Sequence, residues 1–182
     1  MGKALLIVDI QNDYFPSGSM VLEGSPEAGE RAGILLDAVR HTGLPVFHVQ
    51  HVSARPGASF FLPGTVGVEI HECVRPCSGE AVIQKQYPNS FRQTGLLGEL
   101  KARDVSELII AGMMTHMCVD ATTRAAFDLG FQCILAHDAC ATRALTFEGT
   151  TVPARQVHAA FVAALSGIYA DVRTVQDIVR HL

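Results

Sequence analysis

Residues 107–131 read ELIIAGMMTHMCVDATTRAAFDLGF, and the fold turns on how this stretch divides. Glu107 to Ala111 is an apolar run of strand length, Gly112-Met113-Met114-Thr115 is a tight turn, and from Cys118 to Leu129 the apolar positions 118, 121, 125, 126 and 129 recur at helical spacing. A strand that passes through such a turn straight into a helix places a thiol, Cys118, at a helix N-terminus. Unpaired backbone N–H groups and the positive end of the macrodipole favour a thiolate there and can bind an oxyanion. The local chemistry is that of a cysteine nucleophile.

The same alternation runs outward in both directions. Leu5 to Val8 is a continuous apolar run ending at Asp9, as expected of a parallel strand buried on both faces. Ser25-Pro26-Glu27 opens a helix that reaches about His41 and stops at Gly43, and Pro45 to Val49 resumes a strand. Ala81 to Lys85 is predicted as a strand, Thr94 to Arg103 as a helix, and Phe131 to Ala136 as a strand ending near His137 and Asp138. Thr151-Val152-Pro153 caps a helix through Leu165, and a last strand near Asp171 to Val175 leads into a short C-terminal helix. Six strands alternating with helices predict an α/β fold: a doubly wound, mainly parallel six-stranded sheet with helices on both faces. Between Val52 and Pro76 the chain is rich in Gly, Pro and Ser around Phe60 and Phe61, the composition of a lid or binding loop.

With 182 residues, 48% hydrophobic and 18% charged, the sequence is expected to form one domain over 1–182. A formal net charge of -4 with scattered Lys and Arg offers no basic stripe, so neither nucleic acid nor a membrane surface is an expected partner. The N-terminal apolar run is interrupted by Asp9, too early for a signal segment or a bilayer span, and a cytoplasmic location is expected. Five cysteines without framework spacing suit reduced thiols.

In doubly wound sheets ligands bind at the carboxyl ends of strands, where the strand order reverses. Asp9, Lys85 and Cys118 each lie at or just beyond such an end, so they are expected to converge on one crevice. A thiol attacking a carbonyl needs a base, a positive charge beside the carboxylate and donors for the oxyanion, and these residues supply that set. Taken singly each has a bland reading: a loop-capping Asp, a solvated Lys, a core Cys. His48 and His51 stand three apart in a strand and point to opposite faces, so no shared metal is expected; one is read as buried and bonded to backbone, the other as a crevice rim residue. His116 is read as capping the helix or touching substrate, and Cys73 and Cys77 lack a second ligand pair for zinc. Phe15, Phe60, Phe61, Tyr87 and Phe91 are candidate walls of an apolar pocket.

The chain resembles the isochorismatase-like cysteine hydrolases, a superfamily that includes nicotinamidases and N-carbamoylsarcosine amidohydrolases. The matching stretches are DIQNDYF at Asp9 to Phe15, PGTVGVEI at Pro63 to Ile70, KQYPNSF at Lys85 to Phe91 and GMMTHMCVDATTRAAFDLGF at Gly112 to Phe131. The resemblance implies a Rossmann-like sheet with Asp9 as general base, Lys85 as its partner and Cys118 as nucleophile. It implies a non-proline cis peptide at Met113-Met114 that turns the N–H of Met114 toward the N–H of Cys118 as an oxyanion hole. It also implies association into homo-oligomers. Two departures stand out: Asn89 replaces a common Ser, and HVQHVS replaces the metal-binding Asp-x-His of nicotinamidases.

The expected function is metal-independent and cofactor-free hydrolysis of a non-peptide carbon–nitrogen bond in a small amide, carbamoyl compound or lactam, through a thioester. The alternatives are vinyl ether hydrolysis of the isochorismatase type, for which no thiol is needed, and a non-catalytic redox-sensing or binding role for Cys118. Cys118 is expected to be alkylated before the other four cysteines.

Overall fold

The computed structural model describes residues 2–182. Strand β1 (Gly2–Val8) is followed by helix α1 (Ser25–Thr42), β2 (Val46–His51), β3 (Ala81–Lys85) and α2 (Leu96–Lys101). Then come β4 (Val105–Met113), α3 (Asp120–Asp128), β5 (Gln132–Ala141), β6 (Leu145–Phe147) and β7 (Thr150–Val152). The chain closes with α4 (Ala154–Leu165), β8 (Asp171–Arg173) and α5 (Val175–Val179). The large sheet has six strands in the order β3-β2-β1-β4-β5-β8, and every pairing in it is parallel. This is the doubly wound α/β architecture expected from the alternation.

The strand sequences dictate the two-faced burial. Leu5 and Ile7 of β1 join Ile109 of β4 in a core against Ala32, Leu35 and Leu36 of α1 and Ile178 of α5. Leu6 and Val8 join Leu108 and Ile110 in a second core with Leu96 and Leu100 of α2, Ala126 of α3 and Leu165 of α4. Successive side chains of a strand point to opposite faces, so an unbroken apolar run stitches both helix layers to one sheet.

The chain steps from β1 outward to β3, then crosses back so that β4 lies on the other side of β1. The reversal therefore falls between the carboxyl ends of β1 and β4, where such folds bind ligands. Gly112 lies at that point with φ 145, and a Cβ there would collide with the carbonyl oxygen of Val8.

Three expectations need correction. Strand β5 continues to Ala141 instead of ending near Ala136, because its register on β4 shifts between Ile110 and Gly112 and pairing resumes at Cys140. An antiparallel hairpin, β6–β7, precedes α4; Glu148 (φ 47) and Gly149 (φ 77) form its turn, both left-handed as a tight hairpin requires. Helix α3 is preceded by one turn of π-helix, Thr115–Val119, so Cys118 sits inside that turn and not at the start of a regular helix. No helix among the described residues is long and apolar enough to cross a membrane.

Candidate active site

The three residues proposed from strand position meet. Asp9 follows β1 in a left-handed conformation (φ 52), Lys85 ends β3, and Cys118 lies in the π-turn after β4. Lys85 Nζ stands 2.7 Å from Asp9 Oδ2, with both side chains 0% exposed. The ammonium also donates to the Tyr87 carbonyl oxygen at 3.0 Å and contacts His51 Nδ1 at 3.2 Å. An ammonium has three protons and only donates, so His51 Nδ1 and the Tyr87 carbonyl take hydrogen bonds while Asp9 supplies the counter-charge. His51 Nδ1 must then carry a lone pair, which puts the proton of a neutral ring on Nε2. Burial, and next the charge of Lys85, lower the His51 pKa and keep that ring neutral. For Lys85 itself burial pulls the pKa down, but the charge of Asp9 outweighs it and the net shift is upward.

Donor atoms of Asp9, His51 and Cys118 all lie within 4.8 Å of one another. Cys118 is 4% exposed, and burial followed by the negative charge of Asp9 pushes its thiol upward despite the opposing Lys85. The sulfur is therefore a neutral thiol at rest: desolvation defeats the helix-end effect that would favour a thiolate. Asp9 Oδ1, buried beside it, has no hydrogen-bond partner among the described residues. A protonated thiol next to a carboxylate with an open oxygen is an arrangement chemically able to act as nucleophile and base. The same trio does not suit a divalent cation, because the Lys85 ammonium lies against two of the three donors and would repel it.

A cavity of about 430 Å³ opens onto Cys118. Tyr14, Phe60, Phe61 and Tyr87 form its aromatic walls; His51, Ser53 and Arg55 give a polar side, with Met114 and Met117 near the sulfur. Asp13 holds the wall in place, its Oδ2 accepting from Phe61 N at 2.6 Å and its Oδ1 from Ser19 N at 3.0 Å. Gln11 fixes His51 from both sides, accepting from its backbone N–H at 2.8 Å and donating to its carbonyl oxygen at 2.9 Å. Burial, and next to it the charge of Asp9, raise the Tyr14 pKa and keep the phenol protonated. A larger groove of about 580 Å³ beside β8 shares no lining residue with this cavity.

Of the expected pocket residues, Phe60, Phe61 and Tyr87 line the cavity, while Phe15, Phe91 and His116 do not. Phe15 stacks on His71 with ring centroids 3.6 Å apart, and Phe91 stacks on Phe131 at 6.0 Å. His116 Nδ1 bonds Thr142 Oγ1 at 2.5 Å, which turns the ring from the thiol. His48 and His51 do part to different surroundings, but His48 bonds the Glu80 carboxylate at 2.9 Å instead of backbone. The Met113-Met114 peptide is cis.

The sequence reading missed Tyr14 and Arg55, and it left His51 without a partner. Tyr14 was within reach: it adjoins Phe15 in a motif already singled out, but the short 3-10 turn Asn12–Tyr14 buries Tyr14 toward Phe61 and sends Phe15 toward His71.

The isochorismatase domain family model matches residues 3–177. The isochorismatase family protein YddQ of Bacillus subtilis, named as uncharacterized, is 52% identical over 180 residues, covering 99% of this chain and 100% of that protein. A streptothricin hydrolase of Streptomyces noursei is 40% identical over 140 residues, covering 77% of this chain and 50% of that one. The crystal structure of a putative isochorismatase hydrolase from Oleispira antarctica superposes with a TM-score of 0.95 at 49% identity, covering 98% of this chain and 96% of that chain. The buried thiol, carboxylate and ammonium at the switch point thus stand in a chain that belongs to the isochorismatase family, an enzyme of hydrolase type.

Proposed function

We propose that this enzyme cleaves a non-peptide carbon–nitrogen bond in a small amide, carbamoyl compound or lactam through a thioester on Cys118. The observation that carries the reading is the protonated, buried thiol beside the open Asp9 Oδ1, with the ammonium of Lys85 holding the other carboxylate oxygen. The sulfur attacks the carbonyl carbon as its proton passes to Asp9. The backbone N–H groups of Met114 and Cys118 are assigned to the oxyanion. Asp9 returns the proton to the departing nitrogen as the carbon–nitrogen bond breaks, leaving a thioester and a free amine or ammonia. Asp9 then takes a proton from water as the water attacks the thioester, and the acid leaves while the sulfur regains its proton.

Lys85, 2.7 Å from Asp9 Oδ2, supplies the counter-charge to the carboxylate throughout the cycle. A redox-sensing role suits the site poorly, since a buried thiol with a raised pKa reacts slowly with oxidants. Vinyl ether hydrolysis needs an acid but no thiol, so it leaves the placement of Cys118 against Asp9 unexplained. In this reading residues 1–182 form one catalytic domain that works without a cofactor, as a homo-oligomer in the cytoplasm.

The test is a panel of small amides, carbamoyl compounds and lactams assayed for amine or ammonia release by wild type and Cys118→Ala. Release that requires the sulfur supports the reading; equal release by both proteins overturns it.

A further inference from the structure

The cavity has a charge that the hydrolytic mechanism does not use. Asp9 and Lys85 neutralise each other below the cavity floor, and no residue lining the cavity is Asp or Glu. Arg55 lines it and stands exposed, and its charge reaches far enough inward to depress the pKa of His51. The ion pairs of the described residues engage Arg40, Arg103, Arg124, Arg173 and Arg180 but leave Arg55 out. Arg143, also exposed and outside those pairs, acts on Tyr14 and His116 from another side, and Arg92 lies 3.8 Å over the Tyr87 ring. Arg55 is thus the one guanidinium among the residues lining the cavity, in a chain whose formal net charge is -4.

A cation left unpaired at the wall of a cavity without carboxylates attracts an anion and repels a cation. Its planar fork matches the two oxygens of a carboxylate, and the facing aromatic rings suit a flat apolar body. We propose that the substrate is a small, flat amide bearing a carboxylate at the end away from the scissile carbonyl, and that Arg55 is the residue that selects it. The inference rests on the amidase reading above and names its substrate class. The carbonyl carbon meets Cys118, the body lies along the aromatic wall of Tyr14, Phe61 and Tyr87, and the carboxylate reaches Arg55.

The test uses three shape-matched probes: para-carbamoylbenzoate, its methyl ester, and para-(trimethylammonio)benzamide. Wild type is expected to prefer the carboxylate over the ester by at least about tenfold in kcat/KM, the scale of one charge-assisted hydrogen bond, and to disfavour the cation most. Arg55→Met should remove that preference, mainly through a raised KM for the carboxylate probe, and Arg55→Lys should restore part of it. An unchanged carboxylate preference in Arg55→Met, or a wild type that handles ester or cation as well as carboxylate, overturns the proposal.

Calorimetric binding of the same probes to Cys118→Ala, with and without Arg55→Met, separates this inference from the amidase reading. Carboxylate-selective binding that depends on Arg55 supports the subsite even if no amide is cleaved. Binding that ignores charge overturns it even if amides are cleaved.

Discussion

His48 and His51 stand three residues apart on β2, and each touches an ionic group, partly buried at His48 and fully buried at His51, but the two groups are built differently. On the His48 side, Glu80 Oε1 accepts from Arg40 Nε at 2.7 Å, and Oε2 accepts from Arg40 Nη2 at 2.8 Å and from the Cys77 N–H at 2.8 Å, with His48 Nε2 at 2.9 Å. Every oxygen of that carboxylate is occupied. On the His51 side, neither oxygen of Asp9 is saturated: the Lys85 ammonium lies 2.7 Å from Oδ2 as an ion pair, and a protonated thiol lies beside the carboxylate. A saturated carboxylate clamps α1 and the loop before β3 onto the sheet edge; a carboxylate with an open oxygen has a proton to move. The difference teaches that pairing alone does not single out a candidate for catalysis; in the function proposed above, an unfilled acceptor next to a thiol does.

The largest expected effect that would break this contrast lies at the sulfur. Cys118→Ala should abolish turnover while circular dichroism and melting temperature stay near wild type, because the side chain is small and its loss removes no charge. Asp9→Asn should cost at least about 10²-fold in kcat, the contribution of general acid–base catalysis. It should also lower the melting temperature, since Lys85 is left buried without its counter-charge. A loss below about tenfold in kinetics normalised to folded protein would place the base elsewhere.

Glu80→Gln should show the opposite signature, a stability loss with kcat/KM within about threefold of wild type, as expected of a group outside the reaction. Arg40 chiefly, helped by the Cys77 N–H and His48, holds the Glu80 carboxyl at about 2 against an ordinary 4.5. A carboxyl depressed in the folded state stabilises fully above its ordinary pKa and loses that contribution as pH falls from 4.5 toward 2. Solvent screening of this partly exposed pair leaves on the order of 1 kcal/mol, or about 2–4 °C in melting temperature. Wild type should therefore lose its advantage over Glu80→Gln across that acid range; a constant gap, followed by thermal melts, would break the clamp assignment.

How far these two groups could be read from the sequence differs in an instructive way. Asp9 and Lys85 were legible because a strand end is a definite place in a doubly wound sheet, and Cys118 because a strand-turn-helix puts it at the same end. Glu80 was invisible, since nothing in its neighbourhood in the chain announces Arg40, 40 residues earlier. Phe15 and Phe91 were misassigned for a related reason: an aromatic residue near a motif signals burial but not which way a turn will face it. The thiol's protonation was also hidden, because helix end, Lys85, Asp9 and burial oppose one another and only the packing decides among them.

Alkylation sharpens the contrast with the smallest effect on activity. Cys77 is exposed while Cys118 is buried with a raised pKa, so limiting iodoacetamide should modify Cys77 first with activity retained, reversing the order expected from sequence. Dialysis against a chelator should likewise leave activity unchanged, as a Lys85 ammonium against Asp9 and His51 leaves no favourable seat for a divalent cation. Peptide mapping and a metal-dependent loss of rate are the respective checks.

The central claim, a covalent acyl-sulfur intermediate on Cys118, is tested most directly by quenching a reacting amide with acid within the first turnovers and measuring the intact mass of the protein. The account predicts an added acyl mass that maps to the peptide containing Cys118, forms with release of one equivalent of amine, and is absent from Cys118→Ala. Steady turnover by Cys118→Ala, or rapid amine release with the acyl group found on any other residue, would contradict it.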